Sequence, residues 1–199
     1  MGRIKSALEI ALERTENVKG DKASIGLFEA KQKGKKLAND YIEKASSGSA
    51  GSLAEEINKA PKEERDSLKQ GALDVLIAQI TLPAVPEDLT RLQAVGNALT
   101  SLIAGRPFAQ YYQQFLAEVN HYLEQAAQFE EAIKRQYAPK LRQKEEELAR
   151  RLGRQVKIDP FQDPEFIAFY NQNINALKGN YETLAEQVRE QAKALAGNS

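Results

Sequence analysis

Large apolar residues recur at alternating steps of three and four positions through the second half of the chain. One run contains Tyr112, Phe115, Val119, Tyr122, Ala126, Phe129 and Ile133, and a second contains Ile167, Tyr170, Ile174, Leu177, Tyr181, Leu184, Val188, Gln191 and Leu195. Heptad spacing of this kind places one apolar stripe along each of two long helices. Because only a short connector separates the helices, they should fold back as a long antiparallel, coiled-coil-like hairpin over residues 106–199.

Aromatic rings occupy many positions of these stripes. Rings of this size fit poorly in the narrow seam of two helices, so we expect helices from residues 61–105 or a partner subunit to pack on the hairpin. The first run meets Pro139, which should kink the helix or start a new one. Pro164 at a first helical position, preceded by Asp163 as N-cap, predicts the start of the last helix.

The first half of the chain also has helical spacing, divided by glycine and proline. Helices are predicted at about 3–18, 25–45, 61–80 and 87–104, with a short one starting at 53. Gly20 should end the first helix, and the Ser- and Gly-rich residues 46–52 should form a flexible loop that ends at Ser52, an N-cap. The fold class is therefore all-α, a helical bundle with an N-terminal helical region at 1–105 and the hairpin at 106–199. The two regions can also form one continuous domain.

Composition excludes several kinds of site. The 199 residues include 28 Lys and Arg, 28 Asp and Glu, one His and no Cys. Disulfides, thiolate metal sites, cysteine nucleophiles and sites with two imidazoles are therefore ruled out. A formal charge of zero argues against a nucleic-acid binder. No apolar stretch is long enough to span a membrane, and Glu9 and Glu13 interrupt a signal-peptide pattern, so we expect a cytoplasmic protein.

Residues that could carry catalysis are few. The chain has no glycine-rich phosphate loop and no nucleophile elbow, which predicts a non-enzymatic protein without a cofactor. Glu118 and His121 match the Glu-x-x-His pattern of di-iron bundles and are the candidates for metal ligands. The heptad places His121 at a solvent-facing position, so we predict no metal site. Lysines near acids, such as Lys144 beside residues 145–147, indicate intrahelical ion pairs.

Two groups of residues are candidates for binding surfaces. Four rings near the predicted bend of the hairpin could form an exposed recognition surface: Phe161, Phe166, Phe169 and Tyr170. The densest basic run could contact an anionic surface such as phosphate or acidic lipid, through Lys31, Lys33, Lys35 and Lys36. The plainer interpretations are core packing for the rings and a solvated helix face for the lysines.

The segment Lys5-Ser6-Ala7-Leu8-Glu9-Ile10-Ala11-Leu12-Glu13-Arg14-Thr15, followed later by Gly34-Lys35-Lys36-Leu37-Ala38, resembles a family of uncharacterised bacterial helical proteins. The resemblance covers about the first quarter of the chain. It implies a bacterial cytoplasmic protein, and it implies neither an activity nor functional residues.

These observations favour a helical protein–protein interaction or adaptor protein that associates with itself as a homo-oligomer. The alternative is a helical bundle that binds a metal or a small hydrophobic ligand. A further alternative is binding of an anionic surface through residues 31–36, with nucleic acid disfavoured by the neutral charge.

Overall fold

The computed structural model describes the backbone of residues 7–46, 48–49, 51–103 and 106–197, and the side chains of 24–45, 48–49, 51–103 and 107–197. Within these residues the chain is all-α, as predicted, and contains no strand. The elements are α1 (Ala7–Ser46), α2 (Leu53–Asn58), α3 (Lys62–Ala78), α4 (Asp88–Leu102), α5 (Arg106–Leu152), a 3-10 turn (Pro160–Gln162) and α6 (Pro164–Gly197).

One large hydrophobic core joins parts of all six helices. Its most deeply buried side chains come from α3, α4, the beginning of α5 and the end of α6, and include Leu68, Leu76, Leu92, Leu99, Phe108, Tyr112, Phe115 and Val188. The α5 members of this core end at Val119, and its α6 members begin at Leu184. We call the part of the molecule around this core the head. We call residues 122–181, which extend beyond it, the arm.

Helices α1 and α3 pack with their backbones almost in contact. Ala30, Gly34 and Ala38 are buried at every fourth position of α1 and form a stripe of small residues. A Cβ atom added to Gly34 would overlap the backbone oxygen of Leu68, and one added to Gly71 would overlap the backbone oxygen of Lys31. The close approach therefore depends on the absence of side chains at these two glycines.

The predicted break at Gly20 is wrong, because α1 continues through this position as a single helix of 40 residues. A glycine inside a helix costs only about 1 kcal/mol relative to alanine, and no proline follows to stop the helix. Residues 3–6 of the predicted first helix, and residues 47 and 50 of the predicted loop, lie outside the described residues. Ser52 caps α2 as predicted, since its hydroxyl accepts the Glu55 N–H at 3.3 Å.

Helix α5 continues through Pro139 to Leu152, where Gly153 follows with a φ of 66°. At about 1.5 Å per residue, its 47 residues extend for roughly 70 Å. Helix α6 runs back along α5 in the opposite direction, with the Tyr122 ring 5.0 Å from Tyr181 and the Tyr137 ring 5.3 Å from Phe166. The second half of the chain is therefore an antiparallel helical hairpin.

The stripe of α5 differs in burial between head and arm. Tyr112, Phe115 and Val119 are at most 2% exposed, whereas Phe129 in the arm is 39% exposed. A second, small core lies further along the arm and is built from α5 and α6 alone: Ile133, Tyr137 and Phe166, with Leu141, Phe169 and Tyr170 packed against it. We call this group the tip cluster.

The predicted stripe of α6 is wrong at its first position. Phe166 is fully buried against Tyr137, and Ile167 is 38% exposed. The ring of Phe166 fills the space between the helices at the start of α6, so the neighbouring Ile167 turns away from the seam.

Candidate functional site

Asp163 joins the beginning of α6 to α5. Its side chain is only 4% exposed. Its carboxylate accepts hydrogen bonds from Lys144 Nζ at 2.7 Å and from the Tyr137 hydroxyl at 3.2 Å. Asp163 Oδ1 also accepts the backbone N–H of Glu165 at 3.0 Å, which is the N-cap interaction predicted for α6. A single buried carboxylate thus fixes the position at which α6 begins.

Further ion pairs and one backbone contact surround this carboxylate. Glu165 Oε2 lies 2.7 Å from Lys144 Nζ and 3.0 Å from Lys140 Nζ. In the connector, the backbone N–H of Ile158 donates to Glu145 Oε1 at 2.9 Å. The connector is therefore held against the last turns of α5 by charged side chains of that helix.

The lysines lower the pKa of both carboxyl groups. The hydrogen bond from Lys144 holds the pKa of Asp163 below its ordinary value, despite the opposing effect of burial. Hydrogen bonds from Lys144 and Lys140 lower the pKa of Glu165 to about 2. The same contacts, with Asp163 first, raise the pKa of Lys144. These shifts keep both carboxylates and the Lys144 ammonium group charged at neutral pH, so the ion pairs persist there.

We expect Asp163→Asn to lower the free energy of unfolding by about 1 to 2 kcal/mol at pH 7, because the amide can still cap α6 but does not pair with Lys144. A carboxyl group whose pKa is lowered by folding stabilises the folded state above its unfolded pKa. This contribution disappears as the pH falls through the folded pKa. The difference between wild type and variant, measured by urea unfolding, should therefore shrink as the pH falls below 4, the ordinary aspartate range.

Asp159→Asn is the matched control, because Asp159 caps the exposed 3-10 turn next to the same network, accepting the Phe161 N–H. This change should alter the stability little, because the turn that Asp159 caps is exposed. A wild-type advantage over Asp163→Asn that stays constant from pH 7 to pH 2 would contradict the assigned role of the carboxylate.

The four rings proposed as a recognition surface lie together in the arm, but they differ in exposure. Phe161 is 43% exposed, Phe169 and Tyr170 are half-buried, and Phe166 is fully buried. The Phe161 ring packs edge-on against Phe166 at 5.2 Å and against Tyr170 at 5.4 Å. Phe166 is thus a core residue of the tip cluster, and Phe161 presents the outer face of the group.

The four lysines of the basic run lie at different positions around α1. Lys31 pairs with Asp74 of α3 at 2.9 Å, so part of its charge is neutralised within the head. Lys33 and Lys36 are exposed and Lys35 is half-buried.

Glu118 and His121 both lie on the exposed surface of α5, as the heptad predicts for His121. The Nε2 atom of His121 lies 2.8 Å from the side-chain amide nitrogen of Gln125, whose oxygen accepts a hydrogen bond from the Tyr181 hydroxyl at 3.0 Å. In the part of the chain that the structure describes, no group of three or more His, Cys, Asp or Glu side chains is arranged to hold a metal ion.

Sequence reasoning missed the long-range partners in the arm. Lys144 pairs with Asp163 and Glu165 across the hairpin, where its neighbours in sequence predict an intrahelical pair. Lys134 does pair within its own helix, with Glu130 at 2.7 Å. The spacing of Ala30, Gly34 and Ala38 was the available signal for the close packing of α1.

Three comparisons with known proteins complete the description. The model of one protein family, described as a family of unknown function (DUF6657), matches residues 54–194. This range contains α2 to α5 and most of α6, and the N-terminal segment that carries the resemblance noted above lies outside it. Neither the comparison with curated proteins nor the comparison with solved structures gives a match.

Proposed function

The chain belongs to the family of unknown function DUF6657, and we propose that it is a non-enzymatic interaction protein that associates with a second copy of itself through its arm. The head anchors a helical hairpin, and the outer part of that hairpin is the surface on which two copies meet. The neutral charge and the scarcity of catalytic residues in the sequence support a binding role over an enzymatic one.

The observation that carries this proposal is the unequal burial of one continuous stripe. In the head, other helices pack on α5 and α6, and Tyr112, Phe115, Val119 and Val188 are almost completely buried. In the arm, Phe129 of the same stripe is 39% exposed, and Ile174 and Leu177 are half-buried. Ile167, which turns away from the seam, adds an exposed apolar side chain to the outer surface of the arm. Helices α5 and α6 bury the tip cluster between them but leave Phe129, Ile174 and Leu177 only partly covered, so a further pair of helices would complete the packing at these positions.

The net charge and the area of the arm surface both suit an interface between two copies of the chain. Residues 122–139 carry three acidic and two basic residues, so this surface has little net charge and two copies would meet with little net repulsion. Residues 122–139 extend for about 27 Å, and two adjacent helices are about 20 Å wide, giving roughly 500 Å² per copy. A total of roughly 1,000 Å² lies at the lower limit of specific interfaces, which predicts a reversible dimer.

The alternative of a bundle that binds a metal has less support. His121 faces solvent beside Gln125, and the one carboxylate buried in the arm, Asp163, is already paired with Lys144. The grooves of the described surface are open and lined by charged side chains, as in the 510 Å³ groove between α3 and α6 that includes Asp66, Lys69 and Lys193. A small hydrophobic ligand is poorly matched to such a lining.

Sedimentation equilibrium over about 1 to 100 µM protein tests the proposal, because an interface of this size should dissociate in the micromolar range. We expect the wild-type chain to change reversibly between monomer and dimer. Phe129→Asp and Ile167→Asp should each weaken the dimer by about tenfold or more, because a charge would be buried between the copies. Val85→Asp is the matched control, since Val85 is 48% exposed but belongs to the head.

The absence of cysteine from the chain allows a second, independent measurement. A single cysteine introduced at an exposed arm position, Asn171 or Asn175, should form an oxidative cross-link between two copies. A cysteine at the exposed head positions Asn97 or Thr100 should cross-link much less. A chain that remains monomeric throughout the concentration range, with equal cross-linking at arm and head, would refute self-association through the arm.

A further inference from the structure

Three large apolar side chains of α1 are exposed directly before its basic run. Ile25 is 57% exposed, Leu27 is 48% exposed and Phe28 is 62% exposed, and Phe28 is the most exposed large apolar residue among the described side chains. Residues 24–36 carry four lysines and one acidic residue, Glu29. The apolar side chains and the positive charge therefore lie next to each other on one helix.

Ile25 and Phe28 lie on the same face of α1 as Lys35 and Lys36, the two adjacent lysines of the basic run. The buried positions Ala30, Gly34 and Ala38 mark the side of α1 that packs on α3. Ile25, Phe28, Gln32, Lys35 and Lys36 recur at steps of three and four on the side of α1 that is left exposed. Glu29 lies on the same side, and Lys35 is half-buried at its α3 edge, where its backbone approaches Gly71. This face is thus apolar at one end and basic at the other, and the packing of α1 on α3 holds it outward.

We infer that this face of α1 binds the surface of a membrane that contains anionic lipids. Phe28 and Ile25 would enter the boundary between headgroups and acyl chains, and Lys35 and Lys36 would lie against lipid phosphates, with Lys33 at the edge of the face. The contact would be peripheral, since none of the helices in the described part of the chain is long and apolar enough to cross a bilayer.

The apolar residues distinguish a lipid surface from a nucleic acid. Phosphate contacts of a nucleic acid would use the lysines but would leave Ile25 and Phe28 in water. A lipid surface accepts both kinds of side chain, and within residues 24–36 the four lysines outnumber the single acid, Glu29. The inference uses residues of the head that the proposed dimer does not use, so the two proposals can fail separately.

Vesicle co-sedimentation with the full-length protein tests the inference. We expect binding to phosphatidylcholine vesicles that contain about 30% phosphatidylglycerol, and little binding to phosphatidylcholine alone, because the lysines supply much of the attraction. Phe28→Ser combined with Ile25→Ser, and Lys35→Glu combined with Lys36→Glu, should each reduce the affinity by about tenfold or more. The side chains changed in the two double variants are exposed, except that of Lys35, which is half-buried, and none belongs to the hydrophobic core, so circular dichroism should show an unchanged fold.

Matched controls exist elsewhere in the chain. Leu152→Ser removes an equally exposed apolar side chain from the end of α5, and Lys62→Glu combined with Lys69→Glu reverses two charges on α3. Both should bind the anionic vesicles as the wild type does. Any of three results would overturn the inference: no binding to anionic vesicles, binding that survives the loss of Ile25 and Phe28, or binding to duplex DNA that is as tight as binding to the vesicles.

Discussion

Gly34→Ala is expected to lower the free energy of unfolding by roughly 3 kcal/mol or more, although alanine has the higher helix propensity. The added Cβ would overlap the backbone oxygen of Leu68, and a backbone cannot move aside as a flexible side chain can. Helices α1 and α3 would have to separate, and the core contacts of Ala30, Ala38 and Leu68 would weaken. Gly71→Ala should have a similar effect, because its Cβ would meet the backbone of Lys31. Urea unfolding measures both changes.

Gly26→Ala is the matched control, since the same substitution is made in the same helix. A Cβ at Gly26 would have no atom within 4 Å. The gain in helix propensity should therefore appear alone, as a stabilisation of up to about 1 kcal/mol. Equal stabilisation of the protein by Gly34→Ala and Gly26→Ala would contradict the close approach of the α1 and α3 backbones at Gly34.

Phe166→Ala is expected to destabilise the tip cluster by about 3 to 4 kcal/mol, because it removes a fully buried ring from a core with few other members. The ring contacts with Tyr137, Phe161 and Tyr170 would be lost together. Since the tip cluster shares no residue with the core of the head, the loss should remain local. Hydrogen exchange should show faster exchange at residues 133–141 and 164–170, with the head unchanged.

Phe161→Ala provides the comparison for this prediction. Phe161 packs on the same ring but is 43% exposed, so its removal should cost only about 1 kcal/mol. Equal losses of stability in the two variants would contradict the difference in burial between the two rings. Loss of protection throughout the head in Phe166→Ala would contradict the separation of the two cores.

Local patterns in the sequence predicted much of the architecture. The heptads indicated two long helices, and the structure confirms that the second half of the chain is an antiparallel hairpin. Ser52 and Asp163 are caps, as their positions before helical segments predict. These features follow from interactions within a few residues, which a sequence displays directly.

Apart from the break predicted at Gly20, the errors came from properties that depend on distant residues. Phe129 fits the stripe as well as Phe115 does, yet only Phe115 is covered by the helices of the head. Lys144 has acidic neighbours in its own helix, but the buried carboxylate of Asp163 is its closer partner in space. The same sequence pattern is compatible with a buried or an exposed ring, and with an ion pair inside one helix or between two. The position of another helix decides which of them occurs.

The sequence by itself determined that this protein is helical, where most helices begin and end, and that two of them pair over most of their length, because helix periodicity, capping and proline are local effects. The tertiary structure decided which parts of each helix are covered. It buries the stripe of the hairpin in the head and covers it only in part in the arm, where Ile133 and Tyr137 are buried and Phe129 is exposed. It also turns Ile25 and Phe28 outward by packing the small residues of α1 on α3. Burial is a property of the whole arrangement, since the area that a side chain loses to water depends on every element packed against it.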